Sequence, residues 1–118
     1  NKQLIVIDSE ALLTELNPDF SGMIKLAGRG VLVTAKAAKV DVVSRYFAPW
    51  VGVNEDPVTG SAHCALAVYW AEKLNKTRLR AFQCSRRGGF VDVELMQSGA
   101  VKLSGQAVTV LQGKMTIA

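Results

Sequence analysis

Histidine and cysteine are scarce in this chain, and their scarcity narrows its chemistry first. His63 is the only histidine, and Cys64 and Cys84 are the only cysteines. No CxxC pair and no Cys/His spacing of the metal-site kind is present. One histidine with one nearby aspartate does not make a metal site, so neither a metal nor a cofactor is expected. Cys64 falls inside an apolar run and reads as a small core residue, with no disulfide expected. Long apolar stretches are missing too. The longest, near residues 62–71, is about ten residues and too short to span a bilayer. No basic-then-apolar leader opens the chain. These features read as a cytoplasmic protein without membrane contact. The first residue is Asn1 rather than methionine, which fits a fragment or a processed product.

What is present suits one globular domain. A chain of 118 residues can bury a sizeable core but not two ordinary ones. Hydrophobic residues make up 49% and charged residues 20%, the balance of a soluble domain. The net charge is +4, which raises the question of nucleic acid. The positive residues are scattered, however, and the densest group is Lys73, Lys76, Arg78, Arg80, Arg86 and Arg87. No nucleic-acid motif and no run of stacking aromatics accompanies them. They read as a solvated face, compatible with small anionic ligands, and no nucleic-acid partner is expected.

The pattern along the chain alternates in period. Leu4-Ile5-Val6-Ile7 is a short run of strand formers. Asp8 and Ser9 offer caps to a helical face of Ala11, Leu12, Leu13 and Leu16, which Asn17-Pro18-Asp19 ends. Gly28-Arg29-Gly30 is a turn before a strand at 31–34, and residues 40–50 read as another strand closed by Pro49. Residues 64–74 lack proline and glycine and are apolar nearly all round, which predicts a buried helix stopped by Asn75. Then Val91, Val93 and Leu95 alternate with Asp92 and Glu94, and Val101 and Leu103 with Lys102 and Ser104. Residues 107–111 and 114–117 predict two further strands. Closely spaced strands are usually antiparallel neighbours. The sum is an α+β domain, an antiparallel sheet wrapped around one central helix.

The helix is preceded by Asn54-Glu55-Asp56-Pro57-Val58-Thr59-Gly60-Ser61-Ala62-His63. Pro57 fixes its own φ and biases Asp56 to extended backbone. Thr59 can act as N-cap, and Gly60 lets backbone approach a ligand. The amides of Gly60, Ser61 and Ala62 are then free donors at the positive end of the helix dipole, a place that suits a carboxylate or phosphate. Ser61 adds a hydroxyl, and Asp56 a carboxylate able to hold an amine or hydroxyl or to carry a proton. Ordinary helix-start chemistry uses the same residues, so both readings stand at this point. His63 reads either as a histidine satisfied by a neighbour or as a group near the ligand. Ser61 is not expected as a covalent nucleophile: residues two apart on a helix do not face each other, and GxSxG is absent. Arg86-Arg87-Gly88-Gly89 reads as a turn between strands or as a phosphate-binding turn.

The run from Glu55 to His63 resembles the signature segment in the second half of PhzF-type, phenazine-biosynthesis-like isomerases. Its flanks agree: Ser44-Arg45-Tyr46-Phe47-Ala48-Pro49-Trp50 before it, Ala81-Phe82-Gln83-Cys84-Ser85 and Arg87-Gly88-Gly89 after it. The likeness is greatest to the phenazine-biosynthesis-like domain-containing, or MAWD-binding protein, branch. It covers residues 1–118 as one domain and is looser before Val40.

The resemblance implies the diaminopimelate epimerase-like fold, in which two similar domains face each other across a cleft and both central helices point their starts into it. It implies a cofactor-independent isomerisation of a small cyclic or amino carboxylic acid, with a dihydro-hydroxyanthranilate as the reference substrate. Asp56 and Ser61 are then the catalytic candidates, and Thr59, Gly60, Ser61, Ala62 and His63 the substrate-binding ones. The family's proton-shuttling glutamate belongs to the N-terminal domain. Glu10, Glu15, Glu55, Glu72 and Glu94 lack its context, so the chain alone is expected to be inactive. Its expected partners are the substrate carboxylate and that N-terminal domain. Self-association through an apolar patch around residues 59–63 is expected in the domain's absence. The alternative is a non-catalytic domain of the same fold that binds proteins.

Overall fold

Two strands, β2 (Gly30–Lys36) and β3 (Val42–Ala48), are buried on both faces in the computed structural model, which describes residues 2–118. Burial on both faces requires a layer on each side, and the helices supply them. Seven strands and three α-helices form among the described residues. The other strands are β1 (Lys2–Val6), β4 (Val53–Glu55), β5 (Arg78–Gln83), β6 (Gly89–Leu95) and β7 (Val101–Ser104). They make one sheet in the order β1-β2-β3-β5-β6-β7, with β4 paired to β3 off this path.

The sheet is mixed, which corrects the antiparallel expectation. β1 runs parallel to β2, and β3 parallel to β5, while the remaining pairs are antiparallel. Parallel neighbours need a crossover rather than a hairpin. The helices α1 (Glu10–Glu15) and α2 (Phe20–Met23) lie between β1 and β2, and α3 (Gly60–Leu74) between β3 and β5. The sequence pattern places helices between these strands but does not say which strands lie side by side.

Each face of the sheet has its own core. On one face Leu32, Val42, Tyr46, Leu79, Ala81, Val91 and Val93 pack against Ala62, Leu66, Ala67 and Trp70 of α3. On the other, Val33, Ala35, Val43 and Phe47 pack against Leu13, with Leu16, Phe20 and Met23 around them. The helix α3 is therefore buried on one side rather than all round. Val68 is 57% exposed, so the apolar circumference of this helix marks more surface than the sheet covers.

Local signals explain the helix ends. Ser9 Oγ accepts from the Leu12 amide and starts α1, and Asp19 caps α2 the same way at Gly22. Asn75 ends α3 in the left-handed region (φ 51°, ψ 47°), its amide bonding back to the carbonyls of Ala71 and Glu72. The expected strand over 40–50 stops at Ala48, and Pro49–Val51 forms a 3-10 turn.

The two strands expected at 107–111 and 114–117 do not form. Residues 105–118 have no regular secondary structure, and Val108, Val110, Leu111, Met115 and Ile117 are each at least 84% exposed. A strand persists only where its backbone groups and its apolar face find a partner, and among the described residues no other element pairs with the segment. The expected apolar patch around 59–63 is likewise displaced. Ala62 and His63 are buried, Gly60 and Ser61 present polar groups, and the most exposed large apolar side chains lie in the C-terminal segment.

Candidate functional site

The motif occupies a loop pinned between β4 and α3. At its entry the Asp56 amide donates to the Tyr46 carbonyl at 3.0 Å. Glu55 is gripped by Arg45, Nε to Oε1 at 2.7 Å and Nη2 to Oε2 at 3.0 Å. The same guanidinium donates through Nη1 to the carbonyls of Leu13 (3.1 Å) and Leu16 (2.7 Å) at the end of α1. One side chain on β3 thus ties the end of α1 to the strand that leads into the site loop. The nearby Glu55 carboxylate holds the Arg45 pKa above its ordinary value.

Thr59 sits at the N-cap position with extended backbone, but its hydroxyl does not cap α3. It donates instead to Asp56 Oδ2 at 2.5 Å. Gln83, fully buried at the end of β5, holds the other side of this pair. Its Oε1 accepts from the Thr59 amide (2.8 Å), and its Nε2 donates to the Asp56 carbonyl (2.7 Å) and to Thr59 Oγ1 (3.1 Å). With the hydroxyl engaged elsewhere, no hydrogen bond reaches the amides of Gly60, Ser61 and Ala62 among the described residues. Three free donors at the positive end of a 15-residue helix suit an anion, a carboxylate or a phosphate.

Gly60 leaves the approach open. A side-chain carbon there would meet only Leu103 Cδ1 at 3.7 Å, an ordinary contact, so the fold itself would admit alanine. Ser61 is exposed, and its hydroxyl lies 3.3 Å from Lys2 Nζ, a cation brought over from β1. Beside the loop, Ser85 Oγ donates to the Pro57 carbonyl and accepts from the Gly88 amide. A side chain on Gly89 would collide with Val58, so glycine lets the turn after β5 close on the site loop. Glu55, Pro57, Ser85, Arg86 and Arg87 line a concavity of about 450 Å³ there.

His63 lies behind the site rather than at its mouth. It is fully buried, and Nδ1 faces the Thr59 carbonyl at 2.7 Å. A carbonyl only accepts, so Nδ1 carries the proton and Nε2 is a bare, buried acceptor with no partner among the described residues. Burial lowers the His63 pKa below its usual value, against a smaller raising effect from the Thr59 bond. Asp56, Thr59, Gly60 and Ser61 are thus brought together with Ala62 as a buried helix residue. Lys2 and Gln83 join the site without having been singled out from the sequence for it. Gln83 had a readable signal: it continues the inward alternation of Leu79 and Ala81 as a polar residue where an apolar one is due.

The basic group splits differently. Arg78 pairs with Glu94 at 3.1 Å, Arg80 with Asp92 at 3.8 Å, and Lys76 with Asp41 at 2.5 Å. Arg86 and Arg87 remain at the rim of the site. Cys64 and Cys84 are free thiols. Among the described residues no group of three His, Cys, Asp or Glu side chains could hold a metal. Among the described residues no helix is long and apolar enough to cross a membrane.

The profile of the phenazine biosynthesis-like protein family (PhzC-PhzF) matches residues 1–113. An uncharacterized isomerase of Halalkalibacterium halodurans is 53% identical over 116 residues, covering 97% of this chain and 43% of that protein. Phenazine biosynthesis-like domain-containing protein 1 of Mus musculus is 53% identical over 94 residues, covering 75% of this chain and 33% of that one. The crystal structure of a phenazine biosynthesis protein of the PhzF family from Enterococcus faecalis superposes with a TM-score of 0.77. It has 43% identity and covers 90% of this chain and 44% of that one. The chain therefore spans less than half the length of these relatives. With its mixed sheet, its helices and this site loop, the chain belongs to the phenazine biosynthesis-like (PhzC-PhzF) family.

Proposed function

We propose that the chain supplies the C-terminal half of a cofactor-independent isomerase, one wall of a cleft that moves a proton on a small cyclic or amino carboxylic acid. The observation that carries this reading is the set of unpaired amides at Gly60, Ser61 and Ala62, beside the Asp56 carboxylate and the Ser61 hydroxyl. The amides and Ser61 hold the substrate carboxylate. Asp56 holds the amine or hydroxyl next to the carbon that gains or loses the proton. The carbon-directed base, a glutamate, comes from the opposite wall. In this reading the protein has the two-domain, diaminopimelate epimerase-like architecture.

The exposed apolar segment 105–118 supports a partner domain in the same protein. A run of five large apolar side chains left in water marks a surface that a partner covers. In the chain alone, a second copy takes that place.

The test is an amide-shift titration of the chain with anthranilate, using wild type, Asp56→Ala and Ser61→Ala. Shifts centred on Gly60, Ser61 and Ala62 that weaken in both variants support the reading. Shifts elsewhere, or equal in the variants, sink it. The longer protein should in addition wash deuterium from solvent into a dihydro-hydroxyanthranilate, and an Asp56→Ala form should not.

A further inference from the structure

The bonds around Thr59 run in one direction only, and their direction follows from donor and acceptor chemistry. Gln83 has one possible amide orientation. Turned over, it would set its NH2 against the Thr59 N–H and its oxygen against the Asp56 carbonyl, two repulsive contacts in place of two bonds. In the orientation observed, one Nε2 proton goes to the Asp56 carbonyl and the other to Thr59 Oγ1. The Thr59 oxygen therefore accepts from Gln83. Its single proton points to its remaining partner, Asp56 Oδ2.

From this we infer that Gln83 is a positioning residue that sets the proton direction of the Thr59 hydroxyl. It thereby holds Asp56 Oδ2 as an acceptor and leaves Oδ1 to handle the ligand. No hydrogen bond engages Oδ1 among the described residues. The full burial of Gln83 matters: no water competes for its amide, so the direction of the chain is enforced. A carboxylate with one oxygen permanently occupied presents a single, oriented oxygen to a substrate amine or hydroxyl. The functional meaning rests on the reading of Asp56 proposed above, but the proton direction does not.

The test reads the 13Cγ resonance of Asp56 in the ligand-free chain at one pH, assigned with Asp56→Asn. Thr59→Val should move it, and Thr59→Ser should leave it near the wild-type position. Gln83→Glu should move it as well, because a carboxylate at 83 draws the Thr59 proton away from Asp56. In the Thr59→Val background Gln83→Glu should add little. An equal Gln83→Glu shift in both backgrounds would mean that charge acts through space, and the inference falls. It falls too if Thr59→Val leaves the resonance in place. Should Gln83→Glu fail to fold, Gln83→Met decides: the Thr59 hydroxyl proton should be protected from solvent exchange in wild type and lose that protection in the variant, and either no protection in wild type or unchanged protection in the variant overturns the inference. No ligand enters this test, so a failed anthranilate titration and a failed Gln83 test remain separate results.

Discussion

Arg45 and Glu55 meet as two forks, with Nε on Oε1 at 2.7 Å and Nη2 on Oε2 at 3.0 Å, while the third nitrogen of the same guanidinium closes the end of α1. Both side chains are largely withdrawn from water. Removing one partner strands the other, which typically costs more than the pair contributes. Arg45→Ala should lower unfolding free energy by roughly 3 kcal/mol in urea melts, the low end for a buried pair because both side chains keep some exposure. Arg45→Lys should recover less than half, because an ammonium cannot serve the carboxylate fork and the helix carbonyls together.

Leu66 is the middle of the α3 contact with the sheet and has no exposed surface. Leu66→Ala should cost about 3 kcal/mol, the usual range for a leucine cavity. The midpoint of urea unfolding should fall with its slope unchanged.

Buried His63 makes stability depend on pH. Its folded pKa lies below the ordinary value of 6.5, so the unfolded chain binds the proton more readily. The stabilisation is whole above that value and is lost as pH falls through the folded pKa. Wild type should therefore lose stability from neutral pH downward more steeply than His63→Asn, whose amide can still donate to the Thr59 carbonyl. Parallel curves for the two proteins would show that His63 does not carry the effect.

Gly60 separates fold from ligand. A methyl group fits the fold there, so Gly60→Ala should change stability by less than about 1 kcal/mol. The same methyl stands where a carboxylate would approach the helix start, and the anthranilate shifts at Ser61 and Ala62 should weaken at least several-fold.

The exposed segment 105–118 should make the chain self-associate at high concentration. Light scattering should show dimers or larger species for wild type. Val110→Lys with Leu111→Lys should restore the monomer. A monomeric wild type would remove the argument for a covering partner.

Much of the site was readable because its signals are local. A proline after Asp56, a threonine and a glycine before an apolar run, and a stop at Asn75 each act within a few residues, and the helix start lies where they put it. The strands around it were less readable. Arg78–Gln83 is a central strand, yet charge on its alternate positions hides it in the sequence. On its outer face Arg78 and Arg80 pair with Glu94 and Asp92, and only Phe82 is apolar, so its period-2 pattern is written partly in charge.

Residue order by itself determined the α+β class, the start and stop of α3, and the family, since caps, breakers and a nine-residue signature are short-range features. Only the tertiary structure decided that two strand pairs are parallel, that the Thr59 hydroxyl serves Asp56 instead of capping its helix, and that Gln83 closes the loop from 24 residues away. It also decided that the C-terminal apolar run stays out of the sheet. The physical reason is the same in each case. A hydrogen-bonding group or an apolar face takes the best partner within reach, and reach is set by the folded chain.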